Sequence, residues 1–218
     1  MILSTKKLST LQKEVFVNSG LEIIDYDAIQ IEFIDFKAPK KIENAIFSSK
    51  NAVTSFFSAH NIGSCVFKNA FCIGEKTKSL LEENGQKVIK MSPNASKLAQ
   101  FITNMGDKGP FYFFCGNLRR DEIPATLNHS KIALFEVKNY KTKLNSMFFD
   151  QKWDKILFFS PSGVQSFMAK NKIENSRAIC IGTTTASEAK KYTNNIIIAD
   201  SATVDSVIEK AVKMIQIP

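Results

Sequence analysis

The chain writes one strand–turn–helix phrase twice. "FSSKNAVTSF" (47–56) and "FFSPSGVQSF" (158–167) share Phe47/Phe158, Ser49/Ser160, Val53/Val164, Ser55/Ser166 and Phe56/Phe167. At nearly the same offset, "CIGEKT" (72–77) is echoed by "CIGTTT" (180–185). A weaker third match sets "VIKMSPNASKLAQFI" beside "IIIADSATVDSVIEKAV". Three elements at a near-constant spacing mean two similar units rather than one long fold. A chain of 218 residues suits two units of about 100 residues each.

Each phrase pairs a short apolar run with a helix-like segment of about ten residues. That alternation is the signature of α/β units with parallel sheets. Runs at 44–49, 69–77, 87–93, 109–117, 131–142, 155–160, 177–182 and 195–200 read as strands. Ile29, Gln30, Ile31, Glu32 and Phe33 alternate, and predict an extended connection rather than a buried strand. "KNAVTSFFSAH" predicts a helix reaching His60. The last helix has Thr203 as N-cap and an apolar side of Val204, Val207, Ile208, Ala211 and Met214–Ile215.

One unit can be built without a break from residues 35–141. The other needs residues 1–32 together with 144–218, so one unit is inserted in the other. The crossings at 31–36 and 138–144 carry polar or alternating residues able to pair as a two-strand linker. The expected molecule has two lobes, a hinge and a cleft.

Ligands of open parallel sheets bind beyond the carboxyl ends of the strands. Those ends carry Thr5-Lys6, Ser48-Ser49-Lys50, Gly74-Glu75-Lys76-Thr77, Gly116-Asn117 with Arg119-Arg120, Ser160-Pro161-Ser162-Gly163 and Gly182-Thr183-Thr184-Thr185. They are hydroxyls, glycines and cations near helix N-termini, where backbone N–H groups favour anions. Any single Ser or Thr among them also reads as an ordinary helix cap. A net charge of +8 attracts polyanions, or simply keeps a lysine-rich surface soluble. No run of five or more Lys/Arg marks a nucleic-acid arm.

Other chemistries lack their motifs. The Walker phosphate loop GxxxxGK(S/T), the dinucleotide turn GxGxxG and the nucleophile elbow GxSxG are all missing. The four cysteines, Cys65, Cys72, Cys115 and Cys180, form no CxxC pair and read as buried thiols. His60 and His129 belong to no metal-ligand spacing. Asp121-Glu122 reads as an ion pair or solvated cap, and Trp153 as packing. No apolar run approaches the roughly 18 residues of a membrane span. The N-terminus places its apolar residues before its lysines, the reverse of a secretory signal, so a soluble, cytoplasmic protein is expected. Tyr140, in the second crossing, reads either as hinge packing or as a weak general acid.

Taken in order, "ILSTK", "FSSKNAV"/"FFSPSGV", "CIGEKT"/"CIGTTT", "GNLRRDEIP", "VKNYKT" and "TVDSVIEKAV" resemble the uroporphyrinogen-III synthases along essentially the whole chain. The resemblance implies two flavodoxin-like parallel-sheet lobes of three α/β/α layers, joined by a two-strand linker. It implies a cyclising hydro-lyase that needs neither metal nor organic cofactor. Its substrate, hydroxymethylbilane, is a linear tetrapyrrole with eight carboxylates. The product is uroporphyrinogen III, with ring D inverted. The family's tyrosine resembles Tyr140, and its strand-end hydroxyls resemble Ser49, Thr77, Ser160, Thr184 and Thr185. Its backbone-amide turns resemble Gly74, Ser162-Gly163 and Gly182; Lys50 and Arg119 join the substrate-binding set on charge grounds. Lys6 departs from the pattern, because relatives carry Arg there and Lys loses the bidentate geometry. A monomer is expected, with transient contact to the upstream bilane-forming enzyme and with neither nucleic acid nor membrane as partner. The rival reading is a non-catalytic bilobed binder of a small polyanion.

Overall fold

The computed structural model describes residues 1–58, 65–106 and 109–213. His60 and Met214–Ile215 lie outside them. In chain order the elements are β1 (Ile2–Ser4), α1 (Thr10–Val17), β2 (Ile23–Asp25), β3 (Ile29–Phe33), β4 (Lys41–Phe47), α2 (Lys50–Phe56), β5 (Val66–Ile73) and α3 (Glu75–Glu83). Then come β6 (Val88–Ser92), α4 (Ala95–Asn104), β7 (Phe111–Gly116), α5 (Glu122–His129) and β8 (Leu134–Leu144). The chain closes with β9 (Lys155–Phe158), α6 (Pro161–Met168), β10 (Arg177–Cys180), α7 (Thr183–Ala189), β11 (Ile196–Ile198) and α8 (Val204–Lys213).

Two compact units result. One comprises Met1–Gln30 with Lys143–Pro218, and the other Ile31–Thr142. The first holds a five-stranded sheet ordered β11-β10-β9-β1-β2, in which every recorded pairing is parallel. The second holds a six-stranded sheet ordered β3-β8-β7-β4-β5-β6. Its pairings from β8 to β6 are parallel.

The apolar runs are continuous because both faces of each sheet are covered, as parallel sheets require. In the first unit, neighbouring residues go to opposite sides. Leu3, Ile156 and Phe158 pack with Val164 and Phe167 of α6 and Ala186 and Ala189 of α7. Ile2, Leu157 and Ile179 pack with Phe16 of α1 and Val207, Ile208 and Ala211 of α8. In the second unit, Phe47, Cys72 and Phe114 face α2 and α3, while Ile46, Phe71 and Phe113 face α4 and α5.

The sequence repeat maps onto space. β4, β5 and β6 correspond to β9, β10 and β11, and each triplet runs in the same order across its sheet. Apart from β3 at the edge of the six-stranded sheet, the remaining two places are taken by β7-β8 in one unit and by β1-β2 in the other. The first unit is therefore the second one circularly permuted, with its last two strands moved to the front of the chain.

The alternating 29–33 stretch is more than a connection: it is β3, hydrogen-bonded beside β8 at the edge of the six-stranded sheet. Its backbone groups need partners, and the exposed flank of β8 supplies them. The helix after β4 stops at Phe56. Among the described residues, no helix is long and apolar enough to cross a membrane.

Candidate active site

The second unit brings Ser49 and Tyr140 together. Ser49 follows β4 in extended conformation and caps α2, accepting from the Ala52 N–H at 3.4 Å. Its hydroxyl then donates to the Tyr140 phenol oxygen at 3.0 Å. An amide, a serine and a phenol thus form a chain of hydrogen bonds, each polarising the next. Tyr140 is half-buried and packs against the core cluster around Phe47 and Phe114. Burial pushes its phenol up from the ordinary value, while donation from Ser49 pulls the other way. The group therefore holds its proton at neutral pH and is a weak acid.

Lys50 is the first residue of α2, with its side chain exposed. Gly74 caps α3 with a φ of 82°, a left-handed value open to glycine, and makes no side-chain cap bond. Thr77, in the first turn of α3, is buried. Arg119 has partners of its own. Its guanidinium is engaged by Glu136, at 2.7 Å for Nη2 to Oε1, and by Asp121. Arg119 therefore already has two carboxylate partners, which a substrate carboxylate would have to share or displace. Arg120 lies 3.8 Å from Glu122.

The first unit repeats the arrangement without a tyrosine. Ser160 follows β9 and caps α6, accepting from the Gly163 N–H at 3.0 Å. Ser160 Oγ and Ser162 Oγ lie 3.1 Å apart. Gly163 is buried close to Thr5, whose hydroxyl donates to the Leu157 carbonyl at 2.7 Å. Gly182 caps α7 without a side-chain bond, as Gly74 does for α3. Thr184 is exposed and Thr185 buried in that first turn. Each unit thus sets a serine-capped helix next to a glycine-capped one, so one set of first-turn amides is bound by a side chain and the other is not.

Lys6 sits in a loop that two carboxylates hold. Asp27 accepts from the Lys7 N–H at 3.0 Å, and Asp25 accepts from the Leu8 N–H at 2.8 Å and from Lys13 at 2.9 Å. The sequence carries little signal for Asp25 and Asp27, because their role depends on the β1–β2 register. Asn139, in contact with the Tyr140 region, is likewise a residue that sequence reasoning misses, whereas Gly116 is read as a strand end without any sign that it adjoins the Tyr140 ring. The one clue it offers is an Asn at a register position otherwise filled by apolar residues.

The four thiols are buried and free. Burial pushes Cys72 and Cys180 up to about 12 and Cys65 and Cys115 up to about 11. Reactivity follows thiolate fraction. Native protein at neutral pH should therefore take up no iodoacetamide, and denatured protein should take up four equivalents, counted by mass. Rapid labelling of any thiol in the native state would overturn this. Trp153 packs in the core beside Phe149. A cavity of about 860 Å³ lies nearby, lined by residues such as Lys152, Trp153, Lys170 and Lys172. It adjoins the amino ends of β9 and β10, the wrong end of the sheet for the strand-end set.

The family model described as uroporphyrinogen-III synthase HemD matches residues 5–209. The chain is 25% identical over 225 aligned positions to the "Porphyrin biosynthesis protein HemD" of Ruminiclostridium josui. That match covers 89% of this chain and 44% of the other, so the chain spans less than half the length of that relative. Its fold is similar to the crystal structure of uroporphyrinogen-III synthetase from Helicobacter pylori 26695, with a TM-score of 0.73, 17% identity and 98% of each chain covered. It is also similar to a selenomethionine mutant of the uroporphyrinogen III synthase from the extremely thermophilic bacterium Thermus thermophilus. There the TM-score is 0.68 and the identity 11%, covering 98% of this chain and 97% of that one.

Proposed function

Because this chain belongs to the uroporphyrinogen-III synthase HemD family, we propose that it cyclises hydroxymethylbilane to uroporphyrinogen III, with loss of water and inversion of ring D, in tetrapyrrole and heme biosynthesis. What supports this most is the family match across residues 5–209, joined to the hydrogen bond between Ser49 and Tyr140 of β8.

The reacting carbons belong to the substrate. Loss of the ring A hydroxyl as water gives an azafulvene: the departing oxygen takes the phenol proton, and the proton released from the ring A nitrogen restores the phenol. Ring D attacks it through its already substituted carbon, and the spiro product fragments, recombines and closes. The protein must ease departure of the hydroxyl and hold the chain so that this route beats head-to-tail closure to isomer I. The second task is positioning. Tyr140 donates its phenol proton towards the departing oxygen, and Ser49, donating to the phenol oxygen, stabilises the charge left behind. The residues proposed to bind substrate carboxylates are Ser49, Lys50, Gly74, Thr77 and Arg119 in the Ile31–Thr142 unit and Ser160, Ser162, Gly163, Gly182, Thr184 and Thr185 in the other. Lys6 joins them as a point charge. Burial of the Thr77 and Thr185 side chains favours their backbone amides over their hydroxyls as the contacts. Monomeric action in the cytoplasm, with transient contact to the bilane-forming enzyme, belongs to the same reading.

The test is direct. Freshly made hydroxymethylbilane is added to the purified chain and the product isomers are separated. Isomer III should dominate. Isomer I alone, formed at the spontaneous rate, would sink the proposal; if the bilane nonetheless binds, the protein is a polyanion binder.

A further inference from the structure

β7 and β8 run in simple parallel register from Phe111↔Leu134 to Cys115↔Lys138. The next pair is Gly116↔Tyr140, so Asn139 is an extra residue on β8. Such a bulge bends its strand and re-aims the side chains beyond it.

The bulge decides where the phenol points. In a regular strand, side chains alternate between faces. Val137 faces the core cluster under α2. Unbroken alternation would send residue 139 to that face and Tyr140 away from it. Instead both turn towards α2. Asn139 is fully buried and donates from Nδ2 to the Ala52 carbonyl at 2.7 Å. Its own carbonyl accepts from the Ser55 hydroxyl and from the Ile34 N–H, at 2.9 Å for the latter. Tyr140, one residue on, packs on the same cluster and meets Ser49 at the start of the same helix.

Asn139 is not the residue that packing alone would select. Its Oδ1 is buried with no hydrogen-bond partner among the described residues, an unfavourable state that an aliphatic side chain would avoid. What it supplies is a clamp between the bulge and α2, fixing Ala52 and hence the cap at Ser49.

Gly116 completes the device. A Cβ at this position would lie 2.4 Å from Cζ of Tyr140, 2.5 Å from Cε2 and 2.8 Å from the phenol oxygen. The ring occupies the space that any other residue's side chain would fill. The glycine is needed here for close approach, since its φ is not left-handed.

We infer that Asn139 and Gly116 are positioning residues, which act on the cyclisation through Tyr140 by turning its phenol onto Ser49. The inference rests on the proposed role of Tyr140 as the proton donor.

A double-mutant cycle on the whole chain tests it. Gly116→Ala is expected to lower kcat on hydroxymethylbilane roughly tenfold or more, with KM little changed. In the Tyr140→Phe background the same substitution should change kcat less than about twofold, because the group it displaces is already gone. Asn139→Asp, which keeps the shape and loses the donor to Ala52, should follow the same pattern if Gly116→Ala does not fold. An undiminished drop in the Tyr140→Phe background, or no drop in either single variant, overturns the inference.

A second readout needs no substrate. Ultraviolet titration of the free protein should show the Tyr140 phenol, identified by its loss in Tyr140→Phe, moving back towards the ordinary value in Gly116→Ala as the ring is expelled. An unmoved phenol overturns positioning whatever the kinetics. If the unmodified chain makes only isomer I, the activity reading fails by itself, and the titration still decides whether Gly116 places the ring.

Discussion

Tyr140→Phe is expected to lower kcat about 10- to 100-fold while the protein stays folded. The ring stays, so its packing on the Phe47–Phe114 cluster is kept. Only the oxygen goes, and with it the proposed proton donor and the partner of Ser49. KM should hardly move if, as proposed, the carboxylates are held by hydroxyls and amides of several strand ends. Residual activity is expected because positioning survives the loss of one acid. The product mixture is the more sensitive reporter. A slower enzymic step gives spontaneous closure more time, so the share of isomer I should rise. Unchanged kinetics would remove Tyr140 from the mechanism. Complete loss from a folded protein would give it a larger role than proton donation alone.

Phe114→Ala is expected to destabilise the Ile31–Thr142 unit by about 3–5 kcal/mol. Phe114 is fully buried. Its ring stacks on Phe47 at 5.1 Å between centroids and meets Phe56 and Phe36 edge-on at 4.9 and 5.4 Å. Removing it takes one ring out of a cluster of six, Phe36, Phe47, Phe56, Phe57, Phe67 and Phe114, and rings packed edge-on cannot collapse into the space without losing their geometry. Domains are typically stable by only about 5–15 kcal/mol, so such a loss should be conspicuous in urea titration. Phe114 also lies two residues before Gly116, so activity should fall with stability. A loss under about 1 kcal/mol would mean that the cluster repacks freely, contrary to the close packing expected of cores.

Much of this architecture is legible in the residues themselves. Parallel strands covered on both faces must be apolar throughout, so "NAIF", "KILF" and "RAIC" announce themselves. Serine caps are local, and Ser49 and Ser160 each bind an amide only three residues on. The rest depends on partners far away in the chain. Arg119 looks like a free cation until Glu136, from the next strand, is beside it. Gly116 looks like a turn glycine until the ring of Tyr140 lies over it. A bulge is a relation between two strands, and nothing in "VKNYKT" alone says that Asn139 will be the residue left over.

The permuted order of the first unit has a consequence for synthesis. The ribosome delivers β1, α1 and β2 before the rest of their unit, but the next neighbour of β1 in its sheet is β9. Those opening residues must wait, with one strand pair and one helix, until the middle of the chain has emerged. By then every strand of the Ile31–Thr142 unit is available, and its longest-range pairings close within itself. Domains generally fold as they emerge. The order of folding is thus the reverse of the order of synthesis: the inserted unit forms first, and the unit holding the first residue forms last. Chains stalled on the ribosome once residue 144 and the exit-tunnel length have been passed should show the inserted unit resistant to protease and residues 1–30 still cut. Early protection of those first residues would show that they find a partner before β9 arrives.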